Sequence, residues 1–452
     1  MLIQNVEVAG AQVDVRIKDG RINAISGQLP VVEGEVMIDG QGGALLPGLH
    51  DHHIHLNATA AALNSLRCGP PEVQNEGQFV AVLNGQSGAG WLRGIGYHPS
   101  VAGEIDRNWL DRHGPDRPIR IQHRSGRLWI LNSAALALLD LEKLTDGRLL
   151  DGDAIVRKSL GGQRPDLQPL IRKLHSYGIT GVTEVTPGND REDLAHYCEA
   201  ARPLNICIMG GADLHAVSGD NARAIGPLKI HNHDHDLPPL ATLVQEIGAA
   251  HDHGRAVAIH CVTRAELMLS LAAIEEAGPF SGDRIEHGAI VDAVGIDWIK
   301  RLELTVVTQP HFVAERGEAY LRDVDADDLP HLWRLKSFSD AGINLAAGSD
   351  APFGDFNPWS AMANAVKRPN GLGAEEAVSA DMALALYTKP VANAGGNARK
   401  IVVGESADLC LLDRTWSEAS HDLAAVNVHA TWVAGELVYD RISSINPHSS
   451  AV

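Results

Sequence analysis

The chain has 452 residues, enough for one large catalytic domain beside a smaller one, and its hydrophobic and charged shares of 44% and 21% are those of a soluble globular protein. A net charge of −19 repels phosphate and disfavours nucleic-acid and membrane partners, and no run reaches the roughly 20 apolar residues that a membrane span requires. The start, Met1-Leu2-Ile3-Gln4-Asn5-Val6, lacks a signal-peptide pattern, and the five cysteines (Cys68, Cys198, Cys207, Cys261, Cys410) form no CxxC pair, so the expectation is a cytoplasmic, disulfide-free protein.

In chain order, residues 1–46 read as short strands and turns, with Val13–Ile17 and Arg21–Ile25 forming a hairpin about Lys18-Asp19-Gly20. The other end is similar: Ala407–Asp413 is short and apolar, and Ala430–Tyr439 reads strand, turn, strand. Residues 1–46 and 397–452 are therefore expected to build one composite β-sandwich, with the catalytic domain, 47–396, inserted between them. Within it, about 57–165 fits no regular repeat and is expected to be an insertion, with a helical piece at Asn132–Leu139.

The remainder alternates strand and helix. Leu240–His253 is amphipathic and stops at Gly254, and the apolar run Ala256–Ile259 follows. Arg264–Ala277 is helical and stops at Gly278, before Arg284–Glu286. Trp298–Leu304 precedes Thr305–Thr308, and Leu332–Ala341 precedes Ile343–Ala347. Repeated β-α order predicts a parallel sheet, here closed as an α/β (β/α)₈ TIM-type barrel. A doubly wound sheet is the alternative, but its first strand would lead into a Gly-rich phosphate loop, and here the strand ends in histidines.

That strand is Leu46-Pro47-Gly48-Leu49-His50-Asp51-His52-His53-Ile54-His55. His53 and His55, two apart, project to the same side of a strand and can reach one ion, while His52 points away. Further along, Lys229, His260 and His287 close their strands, and Asp350 follows Gly348-Ser349. The spacings are 260 − 229 = 31, 287 − 260 = 27 and 350 − 287 = 63, that is one, one and two β-α units of about 30 residues. Polar side chains at successive strand ends are the pattern of a barrel active site, and zinc takes imidazole nitrogen and carboxylate oxygen.

On these residues, and on the terminal Gly404-Glu405-Ser406-Ala407-Asp408-Leu409, the sequence resembles the amidohydrolase superfamily in its amidohydrolase family 3 (YtcJ-like) branch. The resemblance implies one metal on His53 and His55 and a second on His260 and His287. It also implies a CO₂-carboxylated Lys229 as bridge and an Asp350 that binds metal and moves the proton. Glu184, at the end of Gly181–Glu184, is the rival bridge, because some relatives use a glutamate. One or two divalent ions are expected, zinc foremost.

Other polar residues carry less. His231, His233 and His235 form a polar loop after Lys229, and His251 and His253 lie near a helix end. Gln122–Arg127 resembles a substrate-covering loop of the family, but Ser125-Gly126-Arg127 stands where Asp-Gly-His is usual. Arg124 or Arg127 could clamp a substrate carboxylate or form surface ion pairs. Tyr97, His98, Gln309 and His311 are pocket candidates by motif position.

The implied activity is hydrolysis of a C–N bond in an amide, N-acyl amine, urea or cyclic amide by a metal-activated hydroxide, on a small-molecule substrate. The alternatives are a deaminase of an aminated heterocycle and, further off, a non-catalytic scaffold on the same fold. A homo-oligomeric state is left open.

Overall fold

The computed structural model describes residues 1–441 apart from 71, 89, 153–154, 157–163 and 370. The expected sandwich residues 442–452, and those parts of the insertion and barrel ranges, lie outside the described residues. The chain divides into two compact units, Met1–His55 with Gln168–Val452, and Leu56–Leu167.

The first unit holds eight parallel strands in chain order: Leu49–Ile54, Ile179–Glu184, Asn205–Gly210, Ile225–Ile230, Val257–Cys261, Arg284–His287, Thr305–Thr308 and Asn344–Ala347. Each pairs in parallel with the next, beginning Ile179↔Leu49 and ending Thr308↔Ala347. The ends meet where Asp350 N donates to His53 O at 2.7 Å and His55 N donates to Ala351 O at 3.0 Å. The result is the TIM-type α/β barrel that the strand–helix alternation predicts. Its first two strands are buried at every position, as strands covered on both faces must be.

The helices start and stop where capping chemistry directs. Arg264–Ala277 begins at Thr263, whose hydroxyl accepts from Glu266 N while the Glu266 carboxylate reaches back to the Thr263 amide. It ends at Gly278, where φ is +85°. Leu240–Asp252 matches its expected span within a residue. Two expectations shift: the helix expected at 298–304 runs Ala293–Arg301, capped by Asp292, and that expected at 332–341 shortens to Leu335–Asp340. The third strand, Asn205–Gly210, is additional to the expectation and leads into 3₁₀ turns at Ala212–Leu214 and Asp220–Ala224.

The two ends of the chain supply two four-stranded sheets. One contains Leu2–Val8, Ala11–Lys18, Arg21–Ser26 and Met37–Asp39; the other contains Leu45–Pro47, Leu409–Leu412, Val428–Val433 and Glu436–Asp440. Ile3, Val15, Leu45, Leu409, Leu411 and Trp432 share one buried core, so neither terminus completes this layer without the other.

The Leu56–Leu167 unit carries a five-stranded sheet ordered Arg148–Leu150, Leu128–Leu131, Ile119–His123, Leu92–Tyr97, Leu66–Arg67. Phe79 stacks on Trp109 at 5.1 Å over Ile119 and Ile121, giving it its own core. The expected Asn132–Leu139 helix is present as Ser133–Leu138, with the Asn132 side chain accepting from Ala135 N.

Candidate metal centre

The barrel strands present a file of polar side chains at their C-terminal ends. His53 is the penultimate residue of the first strand and His55 follows it, Lys229 lies in the fourth, His260 in the fifth and His287 ends the sixth. Gln309 and Asp350 come just after the seventh and eighth. Asp350 Oδ1 lies 3.4 Å from His53 Nε2 and 3.5 Å from His55 Nε2, and these three side chains converge closely enough to share one ion. The His287 ring stands 4.7 Å from that of His53 and 4.5 Å from that of His260.

Partners on the far side of each ring leave Nε2 for the site. His53 Nδ1 donates to the Glu286 carboxylate, whose other oxygen accepts from Arg284 Nε. His55 Nδ1 shares a hydrogen bond with Thr186 Oγ1 at 3.1 Å, and Gln309 Oε1 accepts from His287 Nδ1 at 2.8 Å. Metal-binding histidines are commonly held this way, because the second bond fixes the ring and its tautomer.

Local backbone distortions aim two of these groups. Side chains alternate along a strand, so His287 would face away from Glu286; with φ at +69° it turns to the same side. Asp350 has φ at +53°. Such conformations cost about 1–3 kcal/mol each in a residue other than glycine and cluster where function fixes a geometry. Gly348 lets the eighth strand approach the first: a Cβ there would stand 2.4 Å from His53 N. Asp51 ties the same junction by accepting from His53 N at 3.0 Å and Ser349 N at 2.9 Å.

Charge balance suits a cation. Burial opposes ionisation of Asp350, but hydrogen bonds from His53 and His55 hold its carboxyl well below the usual range. Burial and Lys229 oppose charge on His53, yet Glu286 and Asp350 outweigh them and raise its affinity for a proton. Burial and the charge of His53 bring His287 down to about 3, leaving a neutral ligand, and burial foremost drives His260 far below its ordinary value. Burial likewise lowers Lys229, whose Nζ finds no hydrogen-bond partner among the described residues. The neutral imidazoles of His260 and His287, the carboxylates of Asp350 and Glu286 and an unpartnered buried amine fit a divalent metal site.

Glu184 is buried, and its Oε1 accepts from Thr186 N at 2.9 Å and Asn189 Nδ2 at 3.3 Å. His52 turns from the site and lies 4.2 Å from the His50 ring. His231 stacks on His260 at 4.1 Å and is followed outward by His233 at 4.9 Å, whereas His251 pairs with buried Asp283 at 3.1 Å. His311 Nε2 donates to Ser349 O at 3.1 Å; its Nδ1 and Gln309 Nε2 are buried without a partner among the described residues.

The remaining substrate candidates belong to the Leu56–Leu167 unit. Tyr97 is in its core, donating to Gly103 O at 2.7 Å, and His98 caps a short helix. Arg124 is exposed, and Arg127 pairs on the surface with Asp151. Sequence reading missed Arg284, Glu286, Asp51 and Thr186. The available signal was the pair Arg284 and Glu286, opposite charges two apart in a strand buried at every position.

An eight-stranded barrel with histidines and a carboxylate converging beyond its strands defines the class of metal-dependent hydrolases. This chain belongs to the amidohydrolase family, whose sequence profile matches residues 36–439. It is 27% identical to an N-substituted formamide deformylase of Arthrobacter pascens, over 95% of each chain. It is 23% identical to YtcJ of Bacillus subtilis (strain 168), named as an amidohydrolase, over 88% of this chain and 90% of that one. An uncharacterized metal-dependent hydrolase from Pyrococcus furiosus has the same fold, with TM-score 0.72, 20% identity, and coverage of 91% and 98% of the two chains. The protein is thus a hydrolase of C–N bonds that works with metal.

Proposed function

We propose that the protein hydrolyses the amide C–N bond of N-acyl amines, N-substituted formamides foremost, releasing a carboxylic acid and an amine. The observation that carries this is the Asp350 carboxylate, held 3.4 and 3.5 Å from the Nε2 atoms of His53 and His55. The name of the Arthrobacter pascens relative supports the substrate class.

His53, His55 and Asp350 would hold one ion, and His260 and His287 a second, with zinc as the expected metal. Lys229, a buried amine whose proton affinity is lowered, is suited to adding CO₂; the resulting carbamate would offer two oxygens between the ions. Bound metal supplies two things: it lowers the pKa of water towards about 7 and polarises the substrate carbonyl.

The chain's own residues complete the reaction. Water oxygen bonds to the carbonyl carbon as the water loses a proton to Asp350. Asp350 then gives that proton to the leaving nitrogen as the C–N bond breaks. Its backbone, pinned through the amide to His53 O, keeps the carboxylate in reach of both steps. Gln309 Nε2 and His311 Nδ1, both lacking partners among the described residues, are suited to substrate polar groups.

The test is a zinc-replete panel of N-substituted formamides, N-acyl amino acids, ureas, cyclic amides and aminated heterocycles, read for amine and ammonia. Amine release from formamides or other N-acyl amines is the expected result. Ammonia from a heterocycle with no amine from any amide would overturn the reading in favour of deamination. No turnover across the panel would overturn it in favour of a scaffold.

A further inference from the structure

Glu286 is fully buried, and neither of its oxygens is spare: one accepts from His53 Nδ1 and the other from Arg284 Nε. Arg284 is buried too, and its remaining contacts, His52 O at 3.1 Å and Met209 Sδ at 3.8 Å, tie it to the first and third barrel strands. The three groups form one line from the sixth strand to the first: guanidinium, carboxylate, imidazole. Removing water from two full charges is costly, and replacing such a pair by apolar residues is often neutral for stability. Its position behind a ligand points to a role beyond stability.

We propose that Glu286 is the positioning residue of the metal centre and that Arg284 fixes Glu286. This inference rests on the metal-binding half of the proposed function and is independent of the substrate. A carboxylate on Nδ1 requires the proton to be there, so His53 Nε2 carries a lone pair directed at the ion. Without that acceptor the proton can move to Nε2, and the ring can rotate about χ2; either change removes a ligand. Arg284 keeps the carboxylate from swinging towards Lys229 or the ion itself. The bonds from His55 Nδ1 to Thr186 and from His287 Nδ1 to Gln309 go to neutral groups, whereas that of His53 Nδ1 goes to a carboxylate.

Outer partners of metal-binding histidines are worth about 10–100-fold in metal affinity. Zinc affinity, measured on the full-length apo-protein by competition with a chromophoric chelator, should therefore fall by that factor in Glu286→Leu, which removes the acceptor altogether. On a His53→Ala background the same change should have no further effect, because the ligand it positions is gone; a merely structural role would weaken binding on both backgrounds. The ¹⁵N signals of the His53 ring should also shift from the Nδ1–H form towards a tautomer mixture. Glu286→Leu leaves the Arg284 guanidinium in the interior without its carboxylate. Should that variant not fold, Arg284→Met with Glu286→Leu, which removes both charges and the acceptor, decides the matter by the same measurement. Zinc binding within twofold of wild type in either folded protein would overturn the proposal, as would equal weakening with and without His53. A wild-type protein that binds zinc but cleaves no N-acyl amine would defeat the substrate reading and leave this inference standing.

Discussion

Asp350 and His53 meet twice: the Asp350 amide donates to His53 O at 2.7 Å, and the Asp350 carboxylate lies 3.4 Å from His53 Nε2. The first contact is one of the two backbone bonds that close the barrel between its last and first strands. The second sets the acid–base group against a metal ligand. Barrel closure and the active geometry are one structural event.

If Asp350 carries the proton, Asp350→Asn should lower kcat by about 10²–10⁴-fold while the fold persists and metal remains on the histidines. A turn aspartate would behave differently, costing about 1 kcal/mol of stability with kcat retained. Steady-state kinetics beside thermal unfolding separates the two.

Lys229→Ala should lose the bridging group, and with it most of the second metal equivalent. Acetate or bicarbonate, supplying carboxylate oxygens to the vacated space, should restore part of the activity. Metal analysis and rescue kinetics report this. An intact second equivalent in Lys229→Ala would move the bridge to Glu184, whose carboxylate is buried at the end of the second strand.

At Gly348 a methyl group would stand 2.4 Å from His53 N and 2.5 Å from His53 Cβ. Backbone cannot yield as a side-chain tip can, so Gly348→Ala should destabilise the protein by about 1–3 kcal/mol or more and weaken zinc binding with it. Urea unfolding and zinc competition on one preparation would show the two losses together. Unaltered stability would mean that the strands have room to separate.

A buried neutral histidine makes folding sensitive to acid. His175 is buried, its Nδ1 donates to Ile179 O at 3.0 Å, and burial foremost lowers its pKa from 6.5. The folded pKa lies below the unfolded one, so its contribution is complete above about pH 6.5 and is lost as pH falls below that value. Each such group adds a slope of up to about 1.4 kcal/mol per pH unit in that window. His175→Gln retains an N–H for Ile179 O but does not titrate, and should flatten the fall in unfolding free energy below about pH 6.5. An unchanged slope would show that His175 is protonated without penalty.

The barrel was legible because period and punctuation agree in its best-formed units. Arg264–Ala277 has a capping box before it and a positive-φ glycine behind it, and Thr305–Thr308 is a short apolar strand between a helix and the Gln309 turn. The His53 and His55 pair follows from strand alternation alone. Alternation also explains what was missed. It would send His287 away from Glu286, and only the φ of +69° brings both to His53. The Glu286–Arg284–His53 line joins strands 233 residues apart, a separation that no local pattern signals. The helix Ala293–Arg301 was misplaced because its apolar positions begin at Ala293, under an Asp292 cap, before the more conspicuous Trp298. Within Leu56–Leu167 the strands are short and mixed in direction, so their sheet has no period to read.

The central claim is metal-assisted hydrolysis of an N-acyl amine at His53, His55 and Asp350. Its most direct test is amine release from an N-substituted formamide by protein stripped of metal and then titrated with zinc. Activity should be absent after stripping and should return in proportion to zinc bound, saturating at one or two equivalents. Full activity in thoroughly stripped protein would contradict the account.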